Sequence, residues 1–91
     1  MLFDWDPEKA ASNELKHGVS FDEAATVFRD RHAVHEPDPE HSIGEERFRA
    51  TGLSRAGRLL VVAYTEDGDV TRLISARKAT RREKRRHAEG R

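Results

Sequence analysis

Val70-Thr71-Arg72-Leu73-Ile74-Ser75-Ala76-Arg77-Lys78-Ala79-Thr80-Arg81-Arg82-Glu83 is the stretch on which the fold turns. It opens with β-branched and apolar residues interrupted by one arginine, the pattern of a strand. It closes as the most basic run of the chain: from Arg77 to Arg91 eight residues are Lys or Arg and two are Glu, a local charge of +6. Thr80 and Glu83 stand at capping-box spacing, so a helix should start near Arg81. That helix has no apolar stripe and sets Arg81 against Arg85 and Arg82 against Arg86, four apart. Alone it should fray. A strand that runs into an arginine cluster suits a chain of phosphates.

Upstream, Glu66-Asp67-Gly68-Asp69 contains the Asp-Gly pair favoured in two-residue hairpin turns, which predicts a preceding strand over Leu59–Thr65. Arg55-Ala56-Gly57 suits a three-residue hairpin loop with Gly57 left-handed, and a strand over Glu46–Leu53 leads into it. Residues His32 to Ser42 allow a short strand followed by a polar, Pro-containing loop. Two helices come before these strands. Asp6 caps the first and Pro7 opens it, and Gly18 ends it after His17. Ser20 and Glu23 form a capping box for the second, Phe21 to about Arg29, which buries Phe21, Ala24, Ala25 and Phe28. Leu2-Phe3-Asp4-Trp5 reads as a short strand. The order β-α-α-β-β-β-β-α with short hairpins predicts an α+β fold: a small antiparallel sheet packed on one face by two N-terminal helices, with a basic C-terminal helix.

The chain has 91 residues, enough for one domain and one core, with the basic tail over about 78–91. Only 35% of residues are apolar and 37% are charged, so the core is thin. No cysteine is present, which removes disulfides and thiolate ligands and fits a reducing compartment. No run is apolar enough to span a membrane, and the N-terminus lacks the basic region of a signal peptide. By elimination the expected setting is the cytoplasm. The net charge of zero conceals a dipole, because residues 1–76 hold 9 Lys/Arg against 15 Asp/Glu. Either the two halves pair with each other, or a polyanion is drawn to one part of the surface.

Strand alternation then sorts the side chains. A two-residue turn at Asp67-Gly68 would pair Thr65 with Val70 and Ala63 with Arg72, and the three-residue loop would pair Arg49 with Ala63 and Arg47 with Thr65. One face would then show Arg47, Arg49, Thr51, Leu59, Val61, Ala63, Arg72 and Ile74, and the other Phe48, Ala50, Leu60, Val62, Tyr64, Leu73 and Ser75. The second set is the better bed for helices. On the first, Arg49 and Arg72 would flank Ala63 about 9.6 Å apart at the backbone, a spacing that suits an anion, unless Glu45, Glu46, Glu66 and Asp69 neutralise them.

Lys16-His17, at the end of the first helix, has two readings: favourable charge at a helix C-terminus, or acid–base chemistry. His32, His35 and His41 with Asp38 and Glu40 have the composition of a metal site. In an extended segment, however, His32 and His35 point to opposite faces, so no metal is expected there.

The pattern Phe3-x-Trp5-Asp6-x-x-Lys9-x-x-x-Asn13-x-x-Lys16-His17-Gly18-Val19-Ser20-Phe21-x-x-Ala24, then His41-Ser42, Glu46-Arg47, Gly52, Tyr64-Thr65 and Arg72-x-Ile74-Ser75-Ala76-Arg77-x-Ala79 with Glu83, resembles the BrnT toxins of bacterial type II toxin–antitoxin systems. The resemblance runs from end to end. It implies a RelE-like fold, a ribonuclease that arrests translation, and a ribbon-helix-helix antitoxin (BrnA-like) that masks the toxin and helps the complex bind operator DNA. No cofactor is implied. RNA can be cut without metal when its own 2′-hydroxyl attacks the adjacent phosphorus. By resemblance and position, Arg47 and Arg72 would hold the phosphorane, and Arg77 would position RNA or help with that charge. His17 or Lys16 would move the proton. Arg49, Lys78, Arg81 and Arg82 are the further RNA contacts expected. Glu46 and Tyr64 are possible orienting groups, with Tyr64 on the core face, and His41 has no assigned role.

Overall fold

The computed structural model describes residues 1–90, so Arg91, the last residue of the basic tail, lies outside it. The elements are β1 (Leu2–Asp4), α1 (Pro7–His17), α2 (Phe21–Ala25), β2 (Val34–Pro37), β3 (Phe48–Leu53), β4 (Leu59–Asp67), β5 (Val70–Lys78) and α3 (Arg81–Glu89). Single 3-10 turns cover Thr26–Arg29 and Pro39–His41. No helix among the described residues is long and apolar enough to cross a membrane.

The caps set α1 as expected: the Asp6 carboxylate accepts from the Glu8 N–H at 2.9 Å, and Gly18 closes the helix at φ 68°. At α2 only half of the expected capping box forms. Ser20 accepts from the Glu23 N–H, but the Glu23 carboxylate turns away to Ser54 and Arg58. The expected helix to Arg29 tightens to 3-10 geometry after Ala25. There the Thr26 hydroxyl donates to the Glu23 carbonyl at 2.6 Å and accepts from the Arg55 N–H, which ties the turn to the β3–β4 loop.

The sheet runs β1-β5-β4-β3-β2. β1 lies parallel to β5, so the sheet is mixed rather than antiparallel throughout. The chain leaves β1 through α1 instead of a hairpin, and no local turn signal in the sequence reports that pairing. The β3–β4 register is the expected one, with Arg49 opposite Ala63 and the loop closed by the Ser54 N–H on the Arg58 carbonyl.

The β4–β5 register differs from expectation in two ways. The turn residues are Gly68-Asp69 rather than Asp67-Gly68: Asp67 pairs with Val70, and Gly68 takes the positive φ at the first central position. This moves the pairing by two, so Arg72 faces Thr65. A bulge then leaves Ile74 as the extra residue between Tyr64–Leu73 and Ala63–Ser75. Past it every side chain changes face. Ser75, expected in the core, is exposed, and Ala76 is buried in its place.

The core lies between this sheet and α1 and α2. Val19, Phe21, Ala24 and Val27 meet Ala50, Leu60, Val62, Tyr64, Leu73 and Ala76. Phe28 packs edge-on against both Phe3 and Tyr64. α1 itself contributes mainly a polar clamp. Asn13, 7% exposed, donates to the carbonyls of Val19 (3.0 Å) and Ala76 (2.9 Å) and accepts from the Ala76 N–H (3.0 Å). Because β1 pairs only with Val70–Arg72, β5 at Ala76 has β4 on one side and no strand on the other. The Asn13 amide occupies that place.

Candidate functional site

The sheet face turned away from α1 and α2 is built in rows by these registers. In the first row Asp4, Arg72 and Thr65 are successive partners across β1, β5 and β4. The β3–β4 register carried one residue further brings Arg47 beside Thr65, and the Asp38 N–H donates to the Arg47 carbonyl at 2.8 Å, continuing the β2–β3 ladder. The row is thus Asp4, Arg72, Thr65, Arg47, Asp38. Arg72 and Arg47 are separated by two strand spacings, about 9.6 Å at the backbone. The second row is Ser75, Ala63, Arg49 and Glu36, and the third Arg77, Val61, Thr51 and Val34.

Arg47 and Arg72 therefore share a face, as expected, although Arg72 is aligned with Arg47 rather than Arg49. Arg77 joins them because of the bulge. On a regular strand two residues five apart point to opposite sides, and Ile74 reverses the second half.

Three of the four arginines carry a carboxylate. Arg72 contacts Asp4 at 2.6 Å and Arg49 contacts Glu36 at 3.4 Å, all four side chains being about half exposed. Pairs this exposed are worth roughly 0–1 kcal/mol, so an incoming phosphate can displace either carboxylate. Arg77 is held more firmly, by two contacts to Glu83 at 2.7 and 3.0 Å. That arginine, with the Thr80 N–H, lowers the Glu83 carboxyl to about 2, and Glu83 in turn raises Arg77. The Arg47 guanidinium has no ion-pair partner among the described residues.

α3 does not stand free. Its capping box is complete, and Glu83, Arg86, His87 and Gly90 face the third row across an open groove of about 310 Å³. Arg81 and Arg82 stay exposed in its first turn, and Lys78 is exposed at the end of β5.

Lys16 and His17 are elsewhere. They end α1 on the opposite layer, where the Gly18 carbonyl accepts from Arg58 at 3.1 Å. Arg58 precedes Thr65 by seven residues along β4, about 23 Å of strand. The structure brings them toward Lys78 and the end of β5, not to the row of Arg47 and Arg72.

Tyr64 is buried on the core face. Its hydroxyl meets His35 Nδ1 at 2.8 Å, and burial raises its pKa. Glu46 is exposed beside Arg47. The loop from Asp38 to Arg47 holds a pair that no spacing rule singled out for catalysis. His41 Nδ1 lies 2.9 Å from the Asp38 carboxylate, which is buried in the same loop. The available signal was Asp-Pro-x-His, an acid and an imidazole three apart behind a proline that starts a turn.

The match to known proteins agrees with this architecture. A crystal structure of the Brucella abortus ribonuclease toxin BrnT superposes with a TM-score of 0.69 at 22% sequence identity, over 89% of this chain and 100% of that one. No curated protein sequence matches the chain. The model of the family described as "Ribonuclease toxin, BrnT, of type II toxin-antitoxin system" matches residues 5–83, from Trp5 to the glutamate that caps α3. This chain belongs to the BrnT family of ribonuclease toxins of type II toxin–antitoxin systems.

Proposed function

We propose that this chain is a RelE-like endoribonuclease that needs neither metal nor cofactor, cuts RNA through its own 2′-hydroxyl and so arrests translation in the cytoplasm. A BrnA-like ribbon-helix-helix antitoxin would mask it, and the complex would bind operator DNA. The observation that carries the chemistry is the gathering of Arg47, Arg49, Arg72 and Arg77 on the sheet face that α1 and α2 leave uncovered. Attack by the 2′-oxygen loads charge onto the non-bridging oxygens. Arg47 and Arg72, on either side of Thr65, hold those oxygens, and Asp4 yields Arg72 to them. Arg49, Arg77, Lys78, Arg81 and Arg82 hold flanking phosphates, which are sequence-independent contacts. Lys16 and His17, the acid–base candidates that the resemblance implies, end α1 near the Lys78 end of β5. The row of Arg47 and Arg72 needs a proton acceptor of its own.

The test is Arg72→Ala. Removing one preorganised donor costs about 2.7–4 kcal/mol of transition-state stabilisation, a rate loss of roughly 10²–10³. RNA affinity should barely change. Arg72→Lys should also be slow, because the two-pronged contact is lost. No cleavage by the wild type, with weaker affinity and a shallower salt dependence in Arg72→Ala, would instead identify a non-catalytic binding module.

A further inference from the structure

We infer that His41 is the proton acceptor of the Arg47–Arg72 row and that Asp38 positions it. This rests on the RNA-cleavage reading above. Asp38 is 6% exposed, yet the His41 side chain bonded to it is 60% exposed. A buried carboxylate 2.9 Å from Nδ1 keeps a proton on that nitrogen, which leaves the Nε2 lone pair free. The orientation is over-determined. The His41 N–H donates to the Asp38 carbonyl at 3.2 Å. The Ser42 hydroxyl donates to the same carbonyl at 2.8 Å and accepts from the Arg47 N–H at 2.9 Å. Asp38 and Arg47 are cross-strand neighbours through the 2.8 Å backbone bond, and their side chains leave the sheet on the same face. The imidazole is thereby placed at the end of the row that contains Arg47, Thr65 and Arg72. The other charged groups on this loop are Glu40, Glu45 and Glu46, all exposed.

In the step assigned to this pair, Nε2 takes the proton of the 2′-hydroxyl, and the 2′-oxygen forms its bond to phosphorus. The bond from phosphorus to the 5′-oxygen breaks, and that oxygen leaves with the electron pair and takes a proton from solvent. The imidazolium returns its proton to solvent. The products are a 2′,3′-cyclic phosphate and a 5′-hydroxyl, with no change in oxidation state.

The test follows cleavage of a reporter mRNA by the full chain in a purified translation mixture, with the new ends mapped. His41→Ala should slow cleavage at least a hundredfold, within the range typical of a lost general base. RNA affinity should stay within twofold, and added imidazole should restore part of the rate. His41→Asn keeps an amide donor to Asp38 and so preserves the loop, yet it should be as slow as His41→Ala. Asp38→Asn leaves the imidazole without the carboxylate that fixes its orientation, so kcat should fall while KM stays near the wild-type value. Wild-type cleavage by His41→Asn, or no imidazole rescue in a folded His41→Ala, overturns the inference while slow Arg72→Ala keeps the broader reading alive. Fast Arg72→Ala, ends other than cyclic phosphate, or no cleavage by the wild type overturns both.

Discussion

Replacing Asn13 by Ala should be among the most damaging single changes outside the arginine face. The side chain makes three hydrogen bonds of 2.9–3.0 Å, two to backbone groups of Ala76 and one to the Val19 carbonyl. Truncation leaves one N–H and two C=O groups without partners in a buried setting. Each such group costs about 1–3 kcal/mol, and water entering the space recovers part of it, so a net loss of about 3–4 kcal/mol is expected. A domain of this size has total stability of roughly 5–14 kcal/mol. At about 4–8 °C per kcal/mol, the melting temperature should fall by at least about 12 °C. Asn13→Asp should do no better, because it keeps the acceptor for Ala76, loses both donors and buries a charge. Urea denaturation followed by circular dichroism, supported by thermal melts, measures the change. A loss below about 1 kcal/mol with an unchanged m-value would show that these bonds do not hold α1 to β5.

Gly52→Ala should destabilise by about 1–3 kcal/mol, since the added methyl would meet Ala33 Cβ at 2.8 Å, Asp30 Oδ2 at 3.0 Å and Val27 Cγ1 at 3.1 Å; a melt indistinguishable from wild type would contradict this. The Glu83–Arg77 pair makes α3 docking pH-dependent. Because the folded carboxyl is depressed from 4.5 to about 2, its contribution is complete above the unfolded value and is lost as pH falls through that window. The pair is partly exposed, which reduces the contribution to about 1–2 kcal/mol. Protection of the α3 amides, taken relative to the intrinsic exchange rate at each pH, should therefore fall between pH 4.5 and 2 in the wild type, and Glu83→Gln should already show low protection at pH 6.

The sequence was most informative where local chemistry decides the outcome. α1 could be bounded from Asp6, Pro7 and Gly18 because caps are short-range, and the β3–β4 register followed from one glycine in a three-residue loop. Arg47 and Arg72 could be placed on one face even with the β4–β5 pairing two residues out, because an even slip preserves the face. Arg77 and Ser75 could not, because the bulge at Ile74 is an odd slip with no local signature. The parallel pairing of β1 with β5 was equally hidden, since a partner sixty-eight positions away leaves no turn residue to read. For the site, resemblance and alternation pointed to the guanidinium groups. Nothing in the spacing showed that Lys16 and His17 end on the other layer, or that Asp38 is buried against His41.

The amide clamp on β5 also bears on how other chains can attach. Open strand margins invite β-augmentation by foreign segments. At Ala76 that invitation is withdrawn, since both backbone groups are already engaged by a side chain from the same molecule. β2 forms the opposite margin of the sheet and ends in Pro37, which has no N–H to offer. A protein partner that docks at Ala76 or at the Pro37 end of β2 must therefore bind there mainly through side chains rather than by lengthening the sheet.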